Sequence, residues 1–162
     1  MSEQQVELLT LLKDHPFTRG LADERVKDLA SISTLARFRV GQKIFEEGEI
    51  HKRLYLVVYG LVALHFHVPT KGEFRFETIG AGEVLGWSSI LEPFRKTSGA
   101  TAVENTLTIS IDSEKLIRMM ESDKAFGFEI YKKIVGIVAD RLRAARMRLV
   151  DIYGEIGRGE KE

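Results

Sequence analysis

Residues 82–87 read Gly82-Glu83-Val84-Leu85-Gly86-Trp87, and a basic, hydroxyl-rich turn follows at residues 95–98. We expect the Gly-Glu pair to open a short helix, and the free N–H groups of a helix start attract an anion. The turn adds positive charge and hydroxyl donors, and the carboxylate of Glu83 is suited to accept a hydrogen bond from a ribose hydroxyl. The stretch therefore predicts a pocket for a phosphate and a sugar, built from Gly82, Glu83, Val84, Leu85, Arg95, Lys96, Thr97 and Ser98.

Short segments rich in Val, Ile, Phe and Tyr, broken by glycines, occupy residues 36–112 around this stretch. Many short strands joined by glycine turns are typical of an antiparallel barrel or jelly roll. We expect strands at residues 38–40, 43–45, 54–59, 61–68, 73–79 and 107–111. Short helices are expected before them, at 4–14 and 23–33 within residues 1–35, and after them at 113–121. The fold class is thus α+β, mainly β, with an antiparallel jelly-roll (double-stranded β-helix) barrel.

A long helix is expected over residues 123–153, and it carries a heptad pattern. The alternating spacing of four and three predicts that two copies of the chain dimerise along a seam of Tyr131, Val135, Val138, Leu142, Ala145, Leu149 and Ile152. A second stripe is placed to pack on the barrel: Phe126, Ile130, Ile134 and Ile137. The alternative is one broad face buried within a single chain. The helix closes a domain of residues 1–153 (its C-terminal helices at 113–153), and residues 154–162 are expected to form a flexible tail.

The composition narrows the function classes. The 162 residues carry 24 basic and 24 acidic side chains, so the net charge is zero, which does not favour a dedicated nucleic-acid binder. The absence of cysteine excludes disulfides and thiolate metal sites. No signal segment or membrane-spanning run is legible, so we expect a cytoplasmic protein that does not contact membranes. No Ser-His-Asp arrangement, carboxylate pair or Walker-type loop is legible either, so we expect no enzymatic activity.

The chain resembles the cyclic-nucleotide-binding domain of the catabolite-activator (CRP/FNR) superfamily over residues 8–153. The resemblance lies in residues 44–49 (IFEEGE), residues 54–62 (LYLVVYGLV) and residues 79–86 (IGAGEVLG), and in the order of the elements. It implies a regulatory domain that binds a cyclic nucleotide, cyclic AMP or cyclic GMP, needs no other cofactor and signals through its long helix. It further implies that Glu83 holds the ribose 2′-hydroxyl, and that Lys96, Thr97 and Ser98 bind the cyclic phosphate.

The sequence departs from the family pattern at three places. Lys96 stands where the family has an arginine, and lysine is a point charge without the planar fork of arginine. The neighbouring Arg95 is expected to point to the other face. The resemblance places Ala145 and Arg146 at the two positions where the activator has hydroxyl side chains that contact the base, and neither residue has a hydroxyl. No helix-turn-helix follows the long helix in these 162 residues, so we expect that this chain does not itself read DNA and is either a free-standing sensor or a fragment. Its downstream protein partner is not named by the sequence.

Two alternative functions follow from the same residues. The first is a structural or interaction module of the same fold that has lost its ligand, which the lysine at position 96 favours. The second, less favoured, is a cupin-like metal site at His65, His67 and Glu73, because residues two apart on a strand point to one face. A structural role for the histidine pair is the preferred interpretation.

Overall fold

The structure, a computed structural model, describes residues 1–159 and the side chains of residues 1–157. Its helices are α1 (Glu3–Asp14), α2 (Asp23–Ser31), α3 (Ser113–Ser122) and α4 (Lys124–Gly159). Its strands are β1 (Ser33–Phe38), β2 (Lys43–Phe45), β3 (Arg53–Tyr59), β4 (Leu61–Val68), β5 (Gly72–Gly80), β6 (Val84–Leu85), β7 (Gly99–Ala102) and β8 (Thr106–Asp112). Short 3-10 turns lie at Pro16–Thr18 and Trp87–Ile90. The expected α+β fold is confirmed, although helices hold 46% of the residues and strands 31%.

The eight strands form two antiparallel sheets, ordered β1-β8-β3-β6 and β2-β7-β4-β5. Alternation along β3 explains how the first sheet buries both of its faces. Tyr55 and Val57 point into the interior of the roll, where they join residues of the second sheet. Leu54 and Leu56 point outward and pack against the helices. The helices therefore cover one outer face of the roll, and its interior has a core of its own.

Helix α4 begins at a capped N-terminus, because the Asp123 carboxylate accepts a hydrogen bond from the Phe126 backbone N–H at 3.1 Å. The stripe that was expected to pack on the barrel is confirmed: Phe126, Ile130 and Ile134 are 2% exposed or less, and Ile137 packs against the same core. Among residues 1–159 no helix is both long enough and apolar enough to cross a membrane.

Several expected boundaries differ from the structure. The first strand begins at Ser33 and not at Phe38, and two short strands, β6 and β7, were not among those expected. Helix α4 continues to Gly159, past its expected end at residue 153, so residues 154–159 are helical. Residues 160–162 of the expected tail lie outside the described residues.

Gly60, in the tight turn between β3 and β4, offers a test of the roll's closure. Its φ is +100°, and an added Cβ would lie 2.4 Å from the hydroxyl oxygen of Thr106 and 2.6 Å from the carbonyl oxygen of Asn105. We expect Gly60→Ala to lower the free energy of unfolding by about 3 kcal/mol or more, because strain and overpacking add. Gly41→Ala is the matched control: its φ of +85° is similar, but no atom lies within 4 Å of the added Cβ. Urea denaturation measures the free energy of unfolding of both variants. Equal losses of that free energy would contradict a role for the close contacts at Gly60.

Candidate ligand site beneath the long helix

A cavity of about 260 Å³ lies between the second sheet and α4. The helix contributes Val138, Arg141 and Leu142, and the rest of the lining comes from Phe45, Leu64, Phe76, Glu77, Leu85, Gly86, Trp87, Ser88, Lys96, Thr97 and Ser98. Most of these walls are apolar, and a few polar groups converge on the space between them. Such a combination is typical of small-ligand sites.

Lys96 is the buried cation of this cavity, with only 3% of its surface exposed. Its ammonium donates a hydrogen bond to the carbonyl oxygen of Gly86 at 3.1 Å and lies 4.7 Å from the ring centre of Phe45. Burial lowers the pKa of Lys96 to about 8, against the opposing charge of Glu49. A buried ammonium with a single backbone acceptor retains donors for an anionic ligand.

The backbone around Lys96 explains how the lysine reaches this position. Gly86 has a φ of +83°, and an added Cβ there would lie 3.0 Å from the Lys96 ammonium nitrogen. The Lys96 backbone N–H donates to the carbonyl of Glu49 at 2.9 Å, and its carbonyl accepts from the Gly48 N–H at 2.8 Å. The loop before β3 therefore holds the chain of Lys96, and the missing side chain at Gly86 leaves room for its ammonium.

Arg141 provides a second positive charge, from α4. Its guanidinium donates a hydrogen bond to the carbonyl oxygen of Val84, and its Nε lies 3.9 Å from the Glu77 carboxylate. Burial lowers the pKa of Arg141, against the charges of Glu77 and Glu83. Only 17% of the Arg141 side chain is exposed, so this arginine is not part of a solvated helix flank.

The structure separates the residues expected to form one pocket. Leu85, Lys96, Thr97 and Ser98 line the cavity just described. A second cavity, of about 430 Å³, lies on the other side of Arg141. The other three residues predicted from the Gly-Glu stretch line this second cavity: Gly82, Glu83 and Val84. The basic turn and the Gly-Glu pair thus contribute to neighbouring cavities that share Arg141 as a wall.

The expected helix start at the Gly-Glu pair is also wrong. Gly82 and Glu83 form a turn that leads into β6, and the first helical turn begins only at Trp87. The Glu83 carboxylate accepts a hydrogen bond from the Gly80 backbone N–H at 2.6 Å, and the side chain is exposed. This carboxylate therefore caps the turn between β5 and β6 on the far side of Arg141 from Lys96.

Arg95 lies apart from both of these cavities. Its guanidinium donates to the carbonyl oxygen of Gly48 at 2.9 Å, and the residue is exposed. The expectation that its side chain points away from that of Lys96 agrees with this geometry. Lys96 therefore supplies the buried charge of the turn, and Arg95 supplies a tether to the loop.

Sequence reasoning missed Glu77 as a lining residue. It faces residue 64 across the β4–β5 pair, and Leu64 in turn faces residue 100 on β7. Paired residues on neighbouring strands share a face of the sheet, so Glu77 shares the inner face with Leu64 and Ala100. The local signal that could have found it is its position two residues before the buried Ile79, because residues two apart on a strand share a face.

The heptad seam divides along α4. Val138 packs on the core, whereas five apolar residues spaced seven apart project from the helix with at least half of their surface exposed: Phe128, Val135, Leu142, Leu149 and Ile156. Phe128 and Ile156 extend the expected seam at both ends. The other residues of the expected seam, also spaced by seven, include Tyr131 and Ile152, which are 41% and 53% exposed.

The histidine pair on β4 takes different positions. His65 is buried, and its Nε2 lies 2.9 Å from the Thr101 hydroxyl oxygen, while Nδ1 lies 3.7 Å from the Glu73 carboxylate. His67 is exposed. Within the described part of the chain, no three His, Asp or Glu side chains are grouped so that they could hold a metal ion.

Comparisons with known proteins agree with this architecture. The family model of the cyclic nucleotide-binding domain matches residues 35–123. A CRP-like cAMP-activated global transcriptional regulator of Mycobacterium tuberculosis is 30% identical over 115 residues, which cover 71% of this chain and 50% of the regulator. The solved catabolite activator protein of Thermus thermophilus is 27% identical with a TM-score of 0.68, covering 85% of this chain and 63% of that one.

A further solved structure, a cyclic nucleotide-binding domain from Methylobacillus flagellatus, has a TM-score of 0.76. The match covers 91% of this chain and 83% of that domain, and at 18% identity it bears on the fold alone. This chain spans about half the length of the mycobacterial regulator.

Proposed function

We propose, from the premise that the chain belongs to the cyclic nucleotide-binding domain family, that it is a regulatory sensor whose ligand is a cyclic nucleotide or a related anion. The observation that carries this proposal is the buried Lys96 ammonium beside Thr97 and Ser98 in an apolar cavity beneath α4. A site with this charge favours an anion attached to an apolar body.

The position of the cavity supports a route from ligand to helix. Helix α4 contributes three lining residues, and Arg141 connects it to the carbonyl of Val84 on β6. A ligand that binds more tightly to one arrangement of α4 than to another shifts the population toward that arrangement. The chain needs no catalytic group for this role, and we assign it no enzymatic activity.

We further propose that two copies of the chain form a homodimer along α4. The exposed seam residues form a continuous apolar line on a helix of 36 residues. A second copy of the same helix presents the same line, so the two seams are complementary by symmetry.

Calorimetric titration with cyclic AMP and with cyclic GMP tests the ligand. We expect saturable binding of at least one of them, and Glu83→Gln should keep that affinity within about twofold, because its carboxylate lies outside the Lys96 cavity. If Glu83→Gln lowered the nucleotide affinity by about tenfold or more, Glu83 would have to be counted among the ligand-binding residues. If neither nucleotide at millimolar concentration gave heat of binding or thermal stabilisation, the sensor function would be refuted in favour of a ligand-free interaction module.

A further inference from the structure

The Glu77 carboxylate has hydrogen-bonding capacity that the protein does not use. Within residues 1–157, no side chain or backbone group donates a hydrogen bond to it, and its closest cation, Arg141 Nε, lies 3.9 Å away. Only 17% of the side chain is exposed. Glu83 is different, because its carboxylate is already bonded to the Gly80 N–H. A half-buried carboxylate that lines a ligand cavity and lacks donors can accept hydrogen bonds from the ligand.

The sheet places Glu77 far from the groups that would bind the phosphate. Glu77, Leu64 and Ala100 lie in one row across β5, β4 and β7. Two strand spacings separate the first from the last by about 10 Å. Lys96, Thr97 and Ser98 precede Ala100 along the chain and lie at the β7 end of this row. In a cyclic nucleotide the ribose 2′-hydroxyl is close to the phosphate, whereas the Watson–Crick edge of the base lies at the far end. A ligand anchored at Lys96 therefore brings its base, and not its ribose, to Glu77.

The chemistry of a carboxylate distinguishes the purines. An ionised carboxylate only accepts hydrogen bonds. Guanine presents two adjacent donors on its Watson–Crick edge, N1–H and the 2-amino group, which match the two carboxylate oxygens. Adenine presents the N1 lone pair at the corresponding position, and this lone pair repels the carboxylate.

We propose that Glu77 reads the base and makes the cavity selective for guanine, so that cyclic GMP is the preferred ligand. The inference rests on the proposed function, since it presupposes that a cyclic nucleotide is anchored at Lys96. Arg141, on the helix side of Glu77, orients the carboxylate, and the apolar side chains of Leu64, Phe76 and Val138 surround the ring.

Titration of the unchanged protein with three nucleotides is the first test. We expect cyclic GMP to bind at least about tenfold more tightly than cyclic AMP, the discrimination expected of a bidentate contact. Cyclic inosine monophosphate keeps N1–H and lacks the 2-amino group, so its affinity should fall between the two. Equal affinities, or tighter binding of cyclic AMP, would overturn the assignment without any variant having to fold.

Glu77→Gln is the second test, because the amide keeps the size of the side chain and removes its charge and one acceptor. We expect the ratio of the cyclic GMP and cyclic AMP affinities to fall to within about threefold. Glu73→Gln, an exposed change on the same strand, should retain the ratio of the unchanged protein. If Glu77→Gln retained that ratio while still binding nucleotide, only the base-reading role would fail. Absence of any nucleotide binding to the unchanged protein would overturn the proposed function and this inference together.

Discussion

Lys96→Met is expected to weaken binding of an anionic ligand by about 100-fold and, at the same time, to stabilise the ligand-free protein. The binding loss follows from removal of a charge-assisted hydrogen bond in a site shielded from water. The gain in stability follows from the desolvation that lowers the pKa of the lysine from 10.5 to about 8. A shift of this size corresponds to about 3 kcal/mol, the upper bound of the gain at pH 7. Calorimetric titration measures the first effect and urea denaturation the second.

Because the pKa of Lys96 is lowered in the folded protein, both the stability and the ligand affinity should depend on pH. Between pH 8 and 10.5 the unfolded chain keeps the proton that the folded chain has released, so the free energy of unfolding rises with pH. Lys96→Met should lack this rise. Ligand affinity should fall as the pH increases above about 8, because an anion binds the protonated amine. The charge of Glu49 opposes the lowering of the Lys96 pKa, and burial and the Lys96 charge lower the pKa of His51. Because these groups also respond to pH, the stability of Lys96→Met is compared with that of the unchanged protein at each pH.

Arg95→Met is the matched control for Lys96→Met. It removes the same formal charge one position away, from an exposed side chain that contacts the loop carbonyl of Gly48. Affinity within about threefold of the unchanged protein is expected, with the pH-dependent rise in stability retained. If Arg95→Met reduced binding as strongly as Lys96→Met, the net charge of the turn, and not the buried ammonium, would be responsible.

The double variant Val135→Glu, Leu149→Glu is expected to convert a dimer into a monomer. Each glutamate would lie in the seam, against the apolar seam of the second copy, and an unpaired buried charge costs several kcal/mol. The dimer dissociation constant should rise by more than about 100-fold. Sedimentation velocity over a concentration series measures it. Both side chains are more than half exposed in the single chain, so the circular dichroism of the monomer should remain that of the folded protein.

Met147→Glu, Val150→Glu is the control for the seam. These two positions are 61% and 63% exposed and lie off the line of residues spaced by seven. The control should remain a dimer with an unchanged dissociation constant. A monomeric unchanged protein at about 100 μM, or a seam variant that dimerises normally, would refute the proposed homodimer.

The local pattern was sufficient for the long helix and insufficient for residues 82–87. The repeat along α4 continues over many residues, so periodicity alone identified the helix and the stripe of Ile130 and Ile134 that it buries. A Gly-Glu pair has no such redundancy, because it can open a helix or close a turn. Strand β6 holds only Val84 and Leu85, too few residues for a period to be recognised.

Arg141 and Glu77 could not be placed from the sequence for a different reason. Both are charged residues within patterns that assign charge to solvent. Arg141 is retained in the interior by the carbonyl of Val84, which lies 57 positions earlier in the chain. Glu77 reaches the inner face through its pairing with β4. Tertiary and cross-strand contacts determine these two positions, and local propensity carries no information about them.

The acceptors that hold α4 against the roll are backbone carbonyls. Arg141 donates to that of Val84, and Arg148 donates to that of Phe76 at 2.7 Å. Val84 and Phe76 contribute only their main chain to these contacts, so replacing either side chain leaves both acceptors in place. Phe76 also lines the Lys96 cavity, so one residue contributes its side chain to the cavity and its main chain to the attachment of α4. Under the proposed function, a different side chain at this position would change the shape of the ligand site and leave the carbonyl that Arg148 binds in place.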